Sequence, residues 1–195
     1  MSTDVDAGRR RFLTASVAVV GGVATVGTAV PFVVAWQPSE RARAIGAPIE
    51  VDISKIEPGQ MLTAKWRGKP VWIVSRTPEI LAALPGIDDR LRDPESTQNQ
   101  QPGYAKNEFR SIKPEIVVLI GICTHLGCSP LHIKQDGAPL GAGWSGGFFC
   151  PCHGSMFDYA GRVYAGVPAP TNLVVPPHKY LSDTRILIGA DEESA

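Results

Sequence analysis

The chain has 195 residues, 44% apolar and 19% charged, which suits a globular protein with one ordinary domain and an accessory segment. Its formal net charge is zero, which argues against nucleic acid as a partner held by charge. With 20 glycines, 17 prolines and no repeat period, a loop-rich, strand-based fold is favoured over a helical bundle.

The first element is apolar. Phe12–Trp36 contains no charged residue; as a helix it would reach about 37 Å, enough for a hydrocarbon core of roughly 30 Å. Val and Ala dominate it, diluted by Gly21, Gly22, Gly27 and several threonines, with Pro31 near the far end. Arg9, Arg10 and Arg11 precede it and no equal basic cluster directly follows. That bias speaks against a buried core helix; it keeps the N-terminus in the cytoplasm and sends the remainder across. The string RRRFLT (Arg9–Thr14) resembles a twin-arginine export signal, a route for proteins that fold before export. No small-x-small pattern closes the apolar run, so the segment reads as retained. Gln37–Pro48 (QPSERARAIGAP) is polar and without apolar periodicity, and reads as a flexible linker. The expected organisation is a cytoplasmic N-terminus (1–11), a membrane helix (12–36), a hinge or linker (37–48), a periplasmic domain (49–190) and a tail (191–195).

Within the domain, Met61–Trp66 and Pro70–Ser75 are rich in aromatic and β-branched residues around Arg67-Gly68-Lys69, a hairpin signal. Thr77–Leu84 opens a short helix, with Thr77 as N-cap and Pro78 at the first helical position. Asp88–Asn107 is polar, holds Pro94 and Pro102, and reads as a surface excursion with no derivable role. Ile116–Ile122 is a continuous apolar run, expected as a buried strand that delivers the chain to Cys123. Leu173–Val175 and Arg185–Ile188 are further strand candidates. The expected fold is mainly β, built of small antiparallel sheets.

All four cysteines and two of the four histidines fall within the two short segments 123–128 and 150–153, with His132 between them, the first sign of a metal site. One loop reads C-T-H-L-G-C (Cys123, His125, Cys128) and the other C-P-C-H-G-S (Cys150, Cys152, His153, Ser155). Four readings compete: two plain disulfides, a Cys2His2 zinc site, an unligated reduced set, and a two-iron cluster. The third suits an exported chain poorly. In the fourth, Cys123 and Cys150 bind one iron, His125 and His153 the other, and Cys128 and Cys152 join in a disulfide.

The two loops resemble those of Rieske proteins, and the extra cysteine in each resembles the high-potential branch of cytochrome bc and plastoquinol-oxidising complexes. The resemblance also covers the anchor, the linker and the proline-rich segment after the loops. It implies a [2Fe-2S] cluster (2Fe-2S) held as in the fourth reading, with the cluster-binding part over about 120–170. It further implies the iron–sulfur subunit of a quinol–cytochrome c reductase, in which the domain takes one electron from ubiquinol and passes it to a c-type cytochrome subunit. The expected partners are cytochrome b and c-type cytochrome subunits in a dimeric complex, quinol, and the membrane. An alternative is the Rieske subunit of a periplasmic arsenite oxidase; a ring-hydroxylating oxygenase component is disfavoured, because those lack the second cysteine in each loop.

Two ferric irons, two sulfides and two thiolates sum to zero charge, so histidine ligation raises the potential by roughly several hundred millivolts over a four-thiolate ferredoxin. Each ligated imidazole keeps one nitrogen whose proton affinity follows the iron charge, so an electron and a proton arrive together. By motif match His153 contacts the quinol. Leu126 is either an exposed contact at the docking surface or ordinary packing. Ser155 matches the serine that donates to a bridging sulfide. Phe157 stands where many relatives carry a tyrosine donating to a cysteine sulfur, which implies a somewhat lower potential; nothing in the motif places the Tyr159 hydroxyl at the cluster. Gly166–Pro170 (GVPAP) resembles the proline loop that covers the cluster, with Val167 set between a glycine and a proline that many mitochondrial-like members join directly. His132 and His178 read as surface or core residues.

Overall fold

The computed structural model describes residues 6–134, 144 and 146–191. Residues 1–5 of the expected cytoplasmic segment and the tail beyond 191 lie outside these. The chain divides into two units, Met1–Ala44 and Ile45–Ala195.

The first unit is dominated by α1, Ala7–Ala35, capped by Asp6, whose carboxylate accepts from the N–H groups of Gly8 (2.9 Å) and Arg9 (3.3 Å). The helix runs through the three arginines and so starts before the uncharged stretch. At 1.5 Å per residue it is about 44 Å long. None of its residues is buried, and Phe12, Val17, Val20, Val23, Val26 and Phe32 are all exposed. By length and composition it can cross a membrane. Thr14, Thr25 and Thr28 return their hydroxyls to the carbonyls of Arg10, Gly21 and Ala24, each at 2.8 Å. Their polar groups are thereby satisfied within the helix, as an apolar surrounding demands.

Within the expected linker, Glu40–Gly46 is a helix, α2. Ser39 starts it, its hydroxyl accepting from Ala42 N–H (3.2 Å) and its carbonyl from Arg43 N–H (3.0 Å). Alanines and a Glu40–Arg43 pair (3.3 Å) support it locally. A short helix made by caps and propensity needs no apolar stripe, so periodicity could not reveal it.

The second unit carries three antiparallel sheets. Strands β1 (Ile49–Asp52), β8 (His178–Ser182) and β9 (Arg185–Ile188) form one, in the order β1-β9-β8. Strands β2 (Met61–Trp66), β3 (Lys69–Ser75) and β4 (Ile116–Ile120) form the second in sequence order, with β2 and β3 joined as the predicted hairpin. Strands β5 (Leu131–Ile133), β6 (Gly147–Cys150) and β7 (Ser155–Phe157) form the third.

The apolar runs at 70–75 and 116–120 follow from the position of β3 and β4 in the second sheet, where both faces are buried. Val71, Ile73, Val118 and Ile120 pack with Val51, Ile186 and Ile188 of the first sheet. Their alternates Trp72, Val74, Val117 and Leu119 pack with Phe148, Cys150 and Phe157 of the third. Side chains alternate along a strand, so a sheet with a core on either side must be apolar throughout. Trp72 stacks on Phe148 at 4.9 Å between ring centroids.

Helix α3, Pro78–Ala83, begins as predicted, Thr77 Oγ1 accepting from Ile80 N–H at 3.3 Å. Leu173–Val175 corrects an expectation: Leu173 and Val175 are buried and Val174 exposed, but the segment forms no ladder. Leu173 N–H donates to Gly161 O (2.8 Å), Val175 N–H to Gln100 O (2.8 Å), and Val174 O accepts from Ile120 N–H (2.8 Å). Its main chain thus serves three different segments. The excursion 88–107 is likewise no loose surface feature, as described below.

Candidate metal centre

The two loops are built alike. Strand β4 ends three residues before Cys123, and the carbonyl of Cys123 accepts from Gly127 N–H at 3.0 Å. Cys150 ends β6, and its carbonyl accepts from Gly154 N–H at 2.9 Å. Each loop is therefore a five-residue turn closed on its cysteine, and each closing glycine has a positive φ, 85° at Gly127 and 78° at Gly154. A side chain there would meet left-handed backbone strain of about 1–2 kcal/mol. The second loop is also the tip of the β6–β7 hairpin, whose register sets Ser155 directly across from Cys150.

Cys128 and Cys152 are joined by a disulfide, with Cα atoms 6.8 Å apart, so the tip of one turn is tied to the other. Cys123 and Cys150 are free and buried, each 2% exposed. His125 is half-buried and His153 exposed, their rings 4.7 Å apart and nearly perpendicular. The loops thus order their donors by depth, sulfur inside and imidazole outside. The sulfurs of Cys128, Cys150 and Cys152 also lie within 4.8 Å of one another. Two of these are bonded to each other and offer no thiolate, so that triad is not a ligand set.

Burial pushes the Cys123 thiol up, and the adjacent Cys150 sulfur adds to this, while the His125 N–H and the Ser155 hydroxyl, donors to that sulfur, act the other way. Two thiolates side by side in an apolar core require a cation. Free Cys123 and Cys150 dispose of the two-disulfide reading; zinc and the iron cluster would use the same four donors, and geometry leaves that choice to ancestry.

The Rieske [2Fe-2S] domain family matches residues 96–177. The ubiquinol-cytochrome c reductase iron-sulfur subunit of Allochromatium vinosum is 61% identical over 188 residues, spanning 96% of this chain and 91% of that protein. The chain belongs to the Rieske iron–sulfur family. The subunits of the same name from Blastochloris viridis and Bradyrhizobium diazoefficiens are each 42% identical, over 190 and 185 residues, spanning 97% and 93% of this chain and 97% and 94% of those proteins.

The residues present fit a Rieske [2Fe-2S] cluster: two free buried cysteines and two adjacent histidines with their outer edge toward solvent. Leu126 is 72% exposed, so packing does not account for it. Phe157 is fully buried. The Tyr159 hydroxyl lies 3.3 Å from His132 Nε2 and 3.4 Å from Ile133 O, on β5. His132 is half-buried and His178 buried, and desolvation lowers both below the usual histidine value.

Around the Rieske loops stands a polar frame that sequence reasoning missed. Thr124, inside the first loop, donates to Thr171 O at 2.7 Å. Ser155 Oγ accepts from Ala169 N–H at 3.0 Å. The excursion packs along residues 163–175: Arg92 N–H donates to Val163 O (3.0 Å), Ala165 N–H to Arg90 O (2.8 Å), and the buried Asn172 side chain donates to Asp93 O (3.0 Å). The N–H groups of Thr97 and Gln98 hold the Asp93 carboxyl below its usual range against the opposing effect of burial.

Three buried arginines complete the frame. Arg76 reaches Phe109 O and Tyr159 O, Arg110 reaches Ala160 O and Leu173 O, and Arg162 pairs with Asp158 at 2.7 Å. Burial lowers Arg76 and Arg110 to about 10, with Asp158 opposing the shift in each. Nothing in the sequence marks these residues, because a buried arginine on main-chain carbonyls looks like any surface charge until its partners are known.

Proposed function

We propose that this chain is the iron–sulfur subunit of a membrane-bound quinol–cytochrome c reductase, accepting one electron and a proton from ubiquinol and passing the electron to a c-type cytochrome subunit. The carrying observation is that His153 of one loop and Leu126 of the other are both exposed, while Cys123 and Cys150 are each only 2% exposed. When bound, the [2Fe-2S] group supplies a one-electron acceptor whose histidine ligation raises its potential. Cys123 and Cys150 would hold it from inside and His125 and His153 from outside, with Cys128–Cys152 fastening the two loops. The outward nitrogen of His153 accepts the hydrogen bond of a quinol hydroxyl and takes its proton; Leu126 offers the apolar contact that orients the ring. Ser155 donates to sulfur from below.

The relatives' names support membership in a ubiquinol–cytochrome c reductase; the proposal adds cytochrome b and c-type subunits as partners, in a dimeric complex that contributes to proton translocation. Helix α1, the one candidate span among the described residues, crosses the membrane once. The arginines before it favour a cytoplasmic N-terminus, a twin-arginine route and a periplasmic domain. Residues 37–48, including α2, form the neck on which the domain moves between donor and acceptor.

Copurification tests the assignment: b- and c-type haems should accompany the tagged chain, and their absence from an active, cluster-loaded preparation would sink it. A midpoint titration tests the quinone. A value well above zero supports ubiquinol, and one near about −150 mV would point to menaquinol.

Two substitutions probe finer points. Phe157→Tyr should raise the midpoint by about 40 mV, the one-electron equivalent of a hydrogen bond about 1 kcal/mol stronger in the reduced state. An unchanged redox titration would count against a sulfur acceptor there. Gly46→Ala should firm α2 by about 1 kcal/mol, since its φ is not left-handed and a Cβ there meets nothing. Slower turnover with an unchanged midpoint is the expected outcome if the neck must bend; full turnover would argue that it need not.

A further inference from the structure

The proline loop Gly166–Pro170 has little means of holding itself in place. Pro168 and Pro170 have no N–H to give, and Gly166 turns the chain with φ 76°. Val167 is the residue by which this loop exceeds the direct glycine–proline junction. Its side chain packs against two separate apolar cores. Its carbonyl accepts from Arg92 Nη2 at 2.9 Å. Two residues on, Ala169 is fully buried and its N–H donates to Ser155 Oγ. That bond occupies a lone pair of the serine oxygen, so the hydroxyl proton turns away from Ala169, toward the sulfur of Cys123.

We propose that Arg92 is a positioning residue for the Ser155 hydroxyl: by holding the carbonyl of the extra residue Val167, it fixes Ala169 N–H against Ser155 Oγ and so keeps the serine proton aimed at cluster sulfur. The inference rests on the reading of this chain as a [2Fe-2S] protein. Arg92 is anchored at both ends, its own N–H donating to Val163 O at 3.0 Å while its guanidinium reaches Val167. It therefore spans the root and the crown of the loop with one side chain. An exposed guanidinium on a carbonyl contributes little to global stability. Its effect is geometric and falls on the charge state that most needs the donor. The reduced state is the more negative one, so a loosened serine lowers the midpoint.

The test uses the full chain with its cluster. Arg92→Met keeps the aliphatic stem and removes the donor. It should shift the oxidised-to-reduced ratio at fixed ambient potential about fourfold toward oxidised, a fall of about 35 mV at 59 mV per tenfold. Exchange of the Ala169 amide, followed by mass spectrometry, should quicken about tenfold. Arg92→Lys, which restores one donor, should return most of both. In a Ser155→Ala background, Arg92→Met should shift the midpoint no further, since the two act as one unit. A wild-type midpoint and wild-type Ala169 exchange in Arg92→Met would overturn the proposal, as would an undiminished shift in the Ser155→Ala background. Wild-type protein without the cluster's paramagnetic signal would instead overturn the cluster reading itself, so the two failures are distinct.

Discussion

Asp158→Ala is expected to destabilise the second unit by about 3–5 kcal/mol, the usual cost of leaving a buried charge without its partner. Both side chains of the Asp158–Arg162 pair are buried, 2% and 1% exposed. One Asp158 oxygen accepts from the N–H groups of Ala160 (2.9 Å) and Arg162 (2.7 Å), and the other from Arg162 Nε (2.7 Å). Without it, Arg162 keeps only Asp88, whose side chain is half exposed, and the Leu84 carbonyl. Arg76 and Arg110 lose the carboxylate that offsets their burial. The turn after β7 also depends on it, since its carboxylate accepts from the Ala160 and Arg162 N–H groups inside the turn that sets Val163 across from Phe157. Ser155 lies on the same strand, so cluster retention should fall together with stability. Denaturant titration followed by cluster absorbance reads both. Asp158→Asn keeps an acceptor for the two N–H groups and should fall between wild type and Asp158→Ala. A loss under about 1 kcal/mol for Asp158→Ala would show that the frame does not depend on this pair.

The double variant Cys128→Ala/Cys152→Ala is expected to lose about 3 kcal/mol, from the chain entropy of a link across 24 residues. Its apparent melting point should fall by about 10 °C. Each loop is closed on itself through Gly127 or Gly154, and the disulfide is the covalent tie between them. Removing it lets the two pairs of donors separate, so cluster loss on warming should precede unfolding of the sheets. Replacing both cysteines avoids a stray thiol that could compete for metal. Thermal melts read by cluster absorbance and by tryptophan fluorescence give the two events separately. Coincident, unshifted curves would mean that sheet packing alone aligns the loops.

How much was legible beforehand differs by element. The β2–β3 hairpin, α3 and β4 could be read locally: turn residues, a Thr-Pro start and an apolar run each report a short-range constraint. Helix α2 could not, because caps rather than an apolar face hold it. Strands β6 and β7 were hidden by the metal loop between them, since a four-residue and a three-residue strand give too short a pattern to register. Leu173–Val175 looked like a strand because it is an apolar run; Leu173 and Val175 are apolar because they are buried, whether or not a ladder forms.

The sequence by itself determined the candidate donors, the extra cysteine in each loop, the apolar span and the family these imply, because ligand chemistry and membrane solvation act through residue types at short spacing. Only the tertiary structure decided which groups surround those donors. Asp88–Asn107 became a wall rather than an excursion. Arg76, Arg110 and Arg162 turned inward, and Arg92 met Val167 across 75 residues of chain. Such contacts depend on where separate segments come to lie. A guanidinium seeking carbonyls leaves no local mark, so its partners are known only once the chain has folded.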